Sequence, residues 1–120
     1  MAKILIVDDD ALITGLMQTL VRMDGHEAFI VNDSTTALAV AKSVNPDLIT
    51  LDLMMPKLNG FDLCKLLHAD PQFANTPIII VSAKEDSQSR EMAFASGAAD
   101  YINKPFNIDE FLGTIKKLTS

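Results

Sequence analysis

Residues 48–60 have the sequence LITLDLMMPKLNG. A short apolar run, residues 48–51, ends in a single carboxylate, Asp52, and a loop that contains Pro56 and Gly60 follows at once. Apolar runs of this length that are bounded by turn residues are typical of buried strands. The sequence therefore predicts that Asp52 lies at the end of a buried strand. One acid in that position is a weak signal unless other parts of the chain bring partners to it.

Two other runs are apolar throughout, like residues 48–51. They are Ile4–Val7, which contains only Ile, Leu and Val, and Ile78–Val81, which contains only Ile and Val. A strand with one face in water alternates apolar and polar residues, whereas a parallel strand covered by helices on both faces is continuously apolar. We therefore expect these three runs to form the centre of a parallel sheet.

Helical patterns separate these strands from one another and from two shorter strands. The predicted strands are residues 3–7, 27–31, 48–51, 77–81 and 100–102, and the helical patterns after them cover about residues 12–21, 37–44, 61–67, 87–96 and 108–118. Strand and helix alternate five times without a linker, which predicts a doubly wound α/β fold. Right-handed crossovers place all five strand carboxyl ends along one edge of the sheet.

Two details of this assignment concern side-chain burial. We assign Met92, Ala93 and Ala95 to the apolar side of the fourth helix. Residues 70–76, between the third helix and the fourth strand, are assigned as a polar loop because turn-forming and polar residues dominate them.

Length, charge and cysteine content restrict the class of protein. The chain has 120 residues, which suits one domain over residues 1–120, and its net charge is −6 with no run of Lys or Arg. Direct nucleic-acid binding is not expected because it normally requires a basic surface. The single cysteine, Cys64, suits a reducing compartment, and no apolar segment is long enough to span a membrane. These features predict a soluble, cytoplasmic domain.

Polar side chains follow four of the predicted strands at the point where each strand ends. They are Asp8 and Asp9, Asp52, Ser82 and Lys104. Ligands of doubly wound sheets bind at this edge, where the strand order reverses. If the order is 2-1-3-4-5, the first and third strands are neighbours there and the three carboxylates crowd together. Such carboxylates take up protons or bind a cation, and their oxygens suit Mg²⁺.

Each of these residues also has a simpler structural explanation. Asp8 and Asp9 are acids at the start of a helix, where acids are favoured. Ser82 alone is typical of a cap or turn, and a lone Lys104 is typical of a solvated surface. Their occurrence together at four separate strand ends favours a functional site.

Four motifs have the order and spacing of a known family. They are Ile6-Val7-Asp8-Asp9, the run from Leu51 to Pro56 with Asn59-Gly60, Val81-Ser82-Ala83, and the run from Tyr101 to Phe106. Over essentially its whole length, the chain resembles the receiver domains of two-component response regulators. The resemblance implies a flavodoxin-like, five-stranded parallel sheet of order 2-1-3-4-5 with five helices.

The resemblance also implies a role for each matching residue. Asp52 is expected to accept a phosphoryl group, forming an aspartyl phosphate. Asp9, Asp52 and the Met54 backbone carbonyl are expected to bind Mg²⁺ or Mn²⁺, with Asp8 acting through water. The remaining expected roles are phosphoryl binding by Ser82, Ala83 and Lys104, a switch formed by Ser82 and Tyr101, and a cis peptide bond between Lys104 and Pro105.

The same resemblance predicts the partners. The phosphoryl donor is expected to be a histidine kinase or a histidine phosphotransfer protein of a phosphorelay. The output surface is expected to be the fourth helix, last strand and fifth helix, where Arg90, Glu91, Asp100, Glu110 and Lys116 are candidates for ion pairs in a homodimer formed on phosphorylation. The domain is not expected to be an enzyme beyond its own phosphorylation and dephosphorylation. The sequence is compatible both with a stand-alone receiver and with a fragment of a larger regulator.

Two positions bear on the lifetime of the aspartyl phosphate. Met54 and Lys84 lie two residues after Asp52 and Ser82 respectively. In this family these positions flank the path of an attacking water, and neither carries a carboxylate or amide here. We therefore expect a comparatively long-lived phosphorylated form.

Two other function classes use a similar strand edge. A haloacid-dehalogenase-like phosphotransferase needs a second Asp two residues after the nucleophile, where this chain has Met54, and usually a cap domain. A flavodoxin-like binding module needs a phosphate-binding loop after the first strand, where this chain has three aspartates that would repel phosphate. Both are less consistent with the sequence than a receiver domain.

Overall fold

The alternation of strands and helices is continuous along the chain. A computed structural model describes residues 1–120. Its strands are β1 (Lys3–Val7), β2 (Glu27–Val31), β3 (Leu48–Leu51), β4 (Ile78–Ser82) and β5 (Asp100–Asn103), and its helices are α1 (Ala11–Met23), α2 (Ala37–Val44), α3 (Gly60–Ala69), α4 (Ser87–Ala95) and α5 (Ile108–Thr119). Short 3-10 turns occur at Ser34–Thr36 and Pro71–Phe73.

Side-chain caps begin four of the five helices. Asp10, Asn59, Asp86 and Asn107 precede α1, α3, α4 and α5, and each accepts a hydrogen bond from a backbone N–H of the first turn. These short polar side chains satisfy N–H groups that have no partner within the helix. Each helix therefore begins just beyond the carboxyl end of a strand, where the local sequence encodes its start.

The five strands form one parallel sheet in the order β2-β1-β3-β4-β5. The predicted fold class and strand order are confirmed. β1 pairs with β3 so that Val7 lies beside Leu51. The residues that follow these two strands, Asp8 and Asp52, therefore leave the sheet side by side.

The sheet separates two apolar cores. One core packs residues of α2, α3 and α4 on one face of the sheet, with Phe73 and Leu67 fully buried. The other packs α1 and α5 on the opposite face, with Met17, Phe111 and Ile115 inside. Because both faces are covered, the central strands have no solvated side, which is the reason for their continuous apolar sequence.

The structure corrects two predicted details. On α4, Ala93 is buried as predicted, but Met92 is 47% exposed and Ala95 is also exposed. The inner side is formed instead by Ala93 with Ser89 and Ser96, whose hydroxyls donate to Asp86 and to the Met92 carbonyl. These small side chains are satisfied within their own helix, so their burial leaves no unpaired hydroxyl.

The second correction concerns residues 70–76, assigned as a polar loop. They contain the 3-10 turn Pro71–Phe73, and the ring of Phe73 is fully buried in the core beside α2 and α3. A single apolar residue among polar ones has no periodicity, so its burial could not be predicted from pattern. None of the helices is long and apolar enough to cross a membrane.

Candidate functional site

Backbone hydrogen bonds continue for one residue beyond the strands at the carboxyl edge of the sheet. The N–H of Asp52 donates to the Val7 carbonyl (3.1 Å), and the N–H of Lys104 donates to the Ser82 carbonyl (2.8 Å). The N–H of Asp8 is likewise bonded to β2, through the Val31 carbonyl (3.1 Å). The polar residues that follow the strands are therefore positioned by the sheet itself and not by mobile loops.

Three carboxylates meet at this edge. One oxygen each of Asp8, Asp9 and Asp52 lies within 4.8 Å of the other two. Asp8 is 3% exposed and Asp52 is 7% exposed, whereas Asp9 is open to solvent. Two of the three negative charges are therefore largely removed from water and face each other.

Lys104 reaches into this cluster from β5. Its Nζ lies 2.6 Å from an Asp8 oxygen and 3.5 Å from an Asp52 oxygen. Burial lowers the pKa of Lys104, but the adjacent carboxylates outweigh this effect, so its pKa is raised above the ordinary value and it stays charged. The Lys104–Pro105 peptide bond is cis.

The carboxyl group of Asp52 has an unusual electrostatic environment. Burial raises its pKa, and the nearby charge of Asp8 raises it further. Lys104 and a long hydrogen bond from the Met54 N–H (3.4 Å) act in the opposite direction without cancelling the increase. Asp52 is thus a largely buried carboxylate whose protein partners do not offset the cost of its charge.

Ser82, Ala83 and Tyr101 lie along the next two strands. Ser82 is fully buried at the end of β4, and its hydroxyl oxygen accepts the Lys84 N–H (3.3 Å), whereas Ala83 is exposed. Tyr101 is turned inward, with 4% exposure, and its hydroxyl donates to the Lys84 carbonyl (2.7 Å). Burial raises the pKa of this phenol. The expected switch formed by Ser82 and Tyr101 stays a prediction.

The donor set at this edge fits a small divalent cation. Asp8, Asp9 and Asp52 supply hard carboxylate oxygens from two adjacent strand ends. The Met54 carbonyl, which accepts no hydrogen bond from the chain, is a further free oxygen in the segment that follows Asp52. Clustered, partly desolvated carboxylates with only one lysine among them gain from a second positive charge.

No role in the site was predicted from the sequence for two residues that shape it. A side chain at Gly60 would collide with the Asp52 carbonyl oxygen and lie 2.8 Å from the Leu53 Cα, so the start of α3 packs directly on the acceptor segment. The Asn32 amide donates to the Asp8 carbonyl (2.8 Å) and supports β1 from β2. The only sequence signal for Gly60 was the turn dipeptide Asn59-Gly60, which predicts a local turn and not a long-range contact.

Comparison with known proteins agrees with this geometry. Residues 4–116 match the family model described as the response regulator receiver domain. This chain belongs to that family. The predicted resemblance is thereby confirmed, and the chain is the receiver domain of a two-component response regulator.

Individual relatives are similar to this receiver domain over most of its length. The DNA-binding response regulator MtrA of Mycobacterium tuberculosis (strain H37Rv) is 38% identical over 114 residues, which are 95% of this chain and 49% of MtrA. The transcriptional regulatory protein CpxR of Klebsiella pneumoniae is 39% identical over 118 residues, 98% of this chain and 49% of CpxR. This receiver domain therefore spans about half the length of these relatives.

Solved structures show the same fold. The receiver domain of the Francisella response regulator 1452 superposes with a TM-score of 0.91 at 35% identity, covering 99% of this chain and 97% of that one. The chemotaxis protein CheY4 of Vibrio cholerae gives a TM-score of 0.93 at 30% identity, with 98% of each chain covered. The strand edge that carries the aspartates is thus part of an architecture shared with other receivers.

Proposed function

We propose that this receiver domain accepts a phosphoryl group on Asp52 from the phosphohistidine of a histidine kinase or histidine phosphotransfer protein. One observation carries the proposal: the Asp52 carboxylate lies in a group with Asp8 and Asp9 and 3.5 Å from the Lys104 ammonium. A buried nucleophile beside a charged lysine suits phosphoryl transfer, in which catalysis is mainly positioning and charge neutralisation.

The residues divide the chemistry among them. Asp52 attacks phosphorus and forms the aspartyl phosphate, while Lys104 moves its contact from the Asp52 carboxylate to a phosphoryl oxygen. Ser82, with a hydroxyl that now only accepts a hydrogen bond, donates to a second phosphoryl oxygen, and the Ala83 N–H is the next available donor. A bound Mg²⁺ or Mn²⁺, held by Asp9, Asp52 and the Met54 carbonyl with Asp8 acting through water, would neutralise phosphoryl charge.

An apolar surface beside the site supports a protein as the phosphoryl donor. Leu12 and Leu16 on α1 are 87% and 48% exposed, and Ile108 on α5 is 49% exposed. A cavity of about 210 Å³ between them is lined by Ile13, Leu16, Lys104, Pro105, Phe106 and Ile108. Exposed apolar patches of this kind bind partner surfaces, and an amphipathic helix carrying the histidine suits this one.

The proposal includes a switch that links the site to the output surface. A phosphoryl group on Asp52 draws the Ser82 hydroxyl toward it and stabilises the inward position of Tyr101, whose ring is stacked under the Arg90 guanidinium (4.9 Å to the ring centroid). The face formed by α4, β5 and α5 then binds the output partner or a second phosphorylated copy. Replacing Tyr101→Ala is expected to abolish the phosphorylation-dependent gain in partner binding; unchanged binding would contradict the switch.

Further parts of the proposal extend the same reasoning. The domain catalyses reactions of its own Asp52 and of no other substrate, and it makes no direct contact with nucleic acid, given its net charge of −6. A cytoplasmic location agrees with the free thiol of Cys64. That residues 1–120 form one domain stays a prediction. Slow loss of phosphate is expected because Met54 and Lys84 provide no group that orients water.

The decisive experiment is incubation with acetyl phosphate and Mg²⁺, followed by intact mass measurement. Wild-type protein is expected to gain one phosphoryl mass and Asp52→Asn is expected to gain none. Asp62→Asn, which changes an exposed aspartate on α3, is the matched control and should behave as wild type. No gain on the wild type, or an equal gain on Asp52→Asn, would overturn the proposal.

A further inference from the structure

A second cavity opens beside the acceptor, on the opposite side from the α1 surface. It has a volume of about 450 Å³ and is lined by Leu53, Met54, Met55, Asn59, Phe61 and Lys84. Leu53 and Met55 form a buried floor, with 2% and 8% exposure, and Met54 is 59% exposed. Four of the six lining residues are apolar.

Two lining residues connect this cavity directly to the site. The Met54 N–H donates to an Asp52 carboxylate oxygen (3.4 Å), and the Lys84 N–H donates to the Ser82 hydroxyl oxygen (3.3 Å). The loops after β3 and β4 therefore form both the phosphoryl site and the wall of the cavity. A phosphoryl group on Asp52 and an occupant of the cavity would therefore be bounded by the same two loops.

The polar groups at the mouth favour an anionic occupant. Lys84 takes part in none of the four ion pairs of the chain, so its ammonium is free to attract an anion. The Asn59 side chain is already used as the cap of α3 and its amide donates to Asp62 (3.1 Å). The cavity thus combines one cation at its rim with methionine and phenylalanine side chains, which make favourable contacts with aromatic rings.

We propose that this cavity receives the leaving group of a small-molecule phosphoryl donor, and that it gives the domain a preference for aromatic acyl phosphates over acetyl phosphate. The inference rests on the proposed function, since it presupposes transfer to Asp52. In the step, an Asp52 oxygen bonds to phosphorus and the bond from phosphorus to the acyl oxygen breaks. The aromatic carboxylate leaves with that electron pair, so no proton and no redox partner is required.

The energetics of the step depend on burial of the leaving group. One carboxylate replaces another on phosphorus, so the bond made and the bond broken are of the same kind. Discrimination between donors then comes from the apolar area that the acyl group places in the cavity. An open cavity covers only part of a phenyl ring, and a preference of about fivefold in the second-order rate constant is expected for benzoyl over acetyl phosphate.

The kinetic test compares the ratio of the two rate constants among variants. Phosphorylation by benzoyl phosphate and by acetyl phosphate is measured with Mg²⁺ by intact mass. Phe61→Ala enlarges and opens the cavity, so the ratio is expected to fall to below about half of the wild-type ratio. Leu66→Ala removes an apolar side chain that is 44% exposed on the same helix but outside the cavity, and should keep the wild-type ratio.

A binding test does not depend on transfer or on the folding of a variant. Benzoylphosphonate, which has a non-transferable carbon–phosphorus bond, is titrated into wild-type protein while methionine methyl groups are observed by NMR. The methyl signals of Met54 and Met55 are expected to shift, and that of Met23, 79% exposed on α1, should not.

The outcomes separate this inference from the proposed function. If neither donor labels Asp52, the proposed function fails and this inference fails with it. If both donors label Asp52 but Phe61→Ala keeps the wild-type ratio, or the Met54 and Met55 signals do not move, the inference is overturned and the proposed function stands.

Discussion

Aspartates occur at both edges of the sheet, and their surroundings differ. At the amino edge, Asp47 accepts the Lys3 N–H (2.8 Å), and Asp70 accepts the Gln72 N–H (3.0 Å) and pairs with Lys42 (3.1 Å). Each of these two carboxylates is used to hold backbone in place. At the carboxyl edge, Asp8 and Asp52 are buried and share one lysine, although each also accepts a backbone N–H, from Asp10 (3.0 Å) and Met54 (3.4 Å) respectively.

The pKa values reflect this difference. The hydrogen bond from Gln72 and the ion pair with Lys42 lower the pKa of Asp70, whereas burial and the charge of Asp8 raise the pKa of Asp52. Carboxylates that are at least partly open to solvent and are hydrogen-bonded stabilise the fold, and buried ones beside a like charge are available for chemistry. The comparison teaches that residue type alone does not distinguish the two uses; burial of the carboxylate and a neighbouring negative charge do.

The largest expected effect concerns a glycine at each edge. A side chain at Gly60 would collide with the Asp52 backbone, and one at Gly97, where φ is +107°, would collide with the His68 ring. Gly60→Ala and Gly97→Ala are each expected to lower the free energy of unfolding by about 2–3 kcal/mol, measured by urea denaturation. Only Gly60→Ala is expected to slow phosphorylation of the folded protein as well, because it displaces the acceptor segment.

Gly113→Ala is the control for both variants. Gly113 lies inside α5 with open space around its Cα, so alanine there is expected to raise the free energy of unfolding by about 0.5–1 kcal/mol. Equal slowing of phosphorylation by Gly60→Ala and Gly97→Ala would show that the two edges are not functionally distinct.

The second prediction compares one aspartate from each edge. Asp52→Asn removes a buried, repelled charge and is expected to raise the free energy of unfolding at pH 7 by about 1 kcal/mol. Asp70→Asn removes the charge that pairs with Lys42 and weakens the cap of the 3-10 turn, and is expected to lower the midpoint of thermal unfolding. Stability changes of the same sign in both variants would contradict the contrast between the edges.

The third prediction concerns the pH dependence of stability in the same two variants, Asp52→Asn and Asp70→Asn. The pKa of Asp52 is raised on folding, so its contribution to stability is present below the unfolded value and is lost as pH rises through the folded value. The advantage of Asp52→Asn over wild type should therefore shrink as pH falls from 7 toward the unfolded pKa of about 4.

Asp70 has the opposite linkage. Its lowered pKa gives stability that is present above the unfolded value and is lost as pH falls through the folded value. The difference in stability between wild type and Asp70→Asn should therefore also shrink in acid, but here because wild type loses stability. Unfolding curves of the three proteins at several pH values check both statements, and an advantage of Asp52→Asn over wild type that grew as the pH fell would contradict the raised pKa.

The smallest expected effect on the free energy of unfolding concerns two buried threonines. The Thr50 hydroxyl, in the middle of β3, has no hydrogen-bond partner, whereas the Thr14 hydroxyl, near the carboxyl edge, donates to the Ala11 carbonyl and accepts the Asn32 amide. Thr50→Val is expected to raise the free energy of unfolding by about 0.5 kcal/mol, and Thr14→Val to lower it by about the same amount or more. Destabilisation by Thr50→Val in urea denaturation would show that its hydroxyl has a role.

Much of the fold was predictable because its signals are local and redundant. The continuous apolar runs at Ile4–Val7 and Ile78–Val81 indicated buried parallel strands, and the helical patterns between the strands indicated all five helices. The inner side of α4 was predicted less well, since buried Ser89 and exposed Met92 reverse the usual preference. Only the hydrogen bonds within the helix explain that reversal.

The site was predictable to the level of residue identity but not of contact. The sequence by itself determined which side chains follow each strand, because a parallel sheet brings all carboxyl ends to one edge. The tertiary structure alone decided that Lys104 lies closer to Asp8 than to Asp52, and that Tyr101 lies inward under Arg90. It also decided that Gly60 packs on the acceptor segment. These facts depend on distances between residues far apart in the chain, which packing sets and local pattern does not encode.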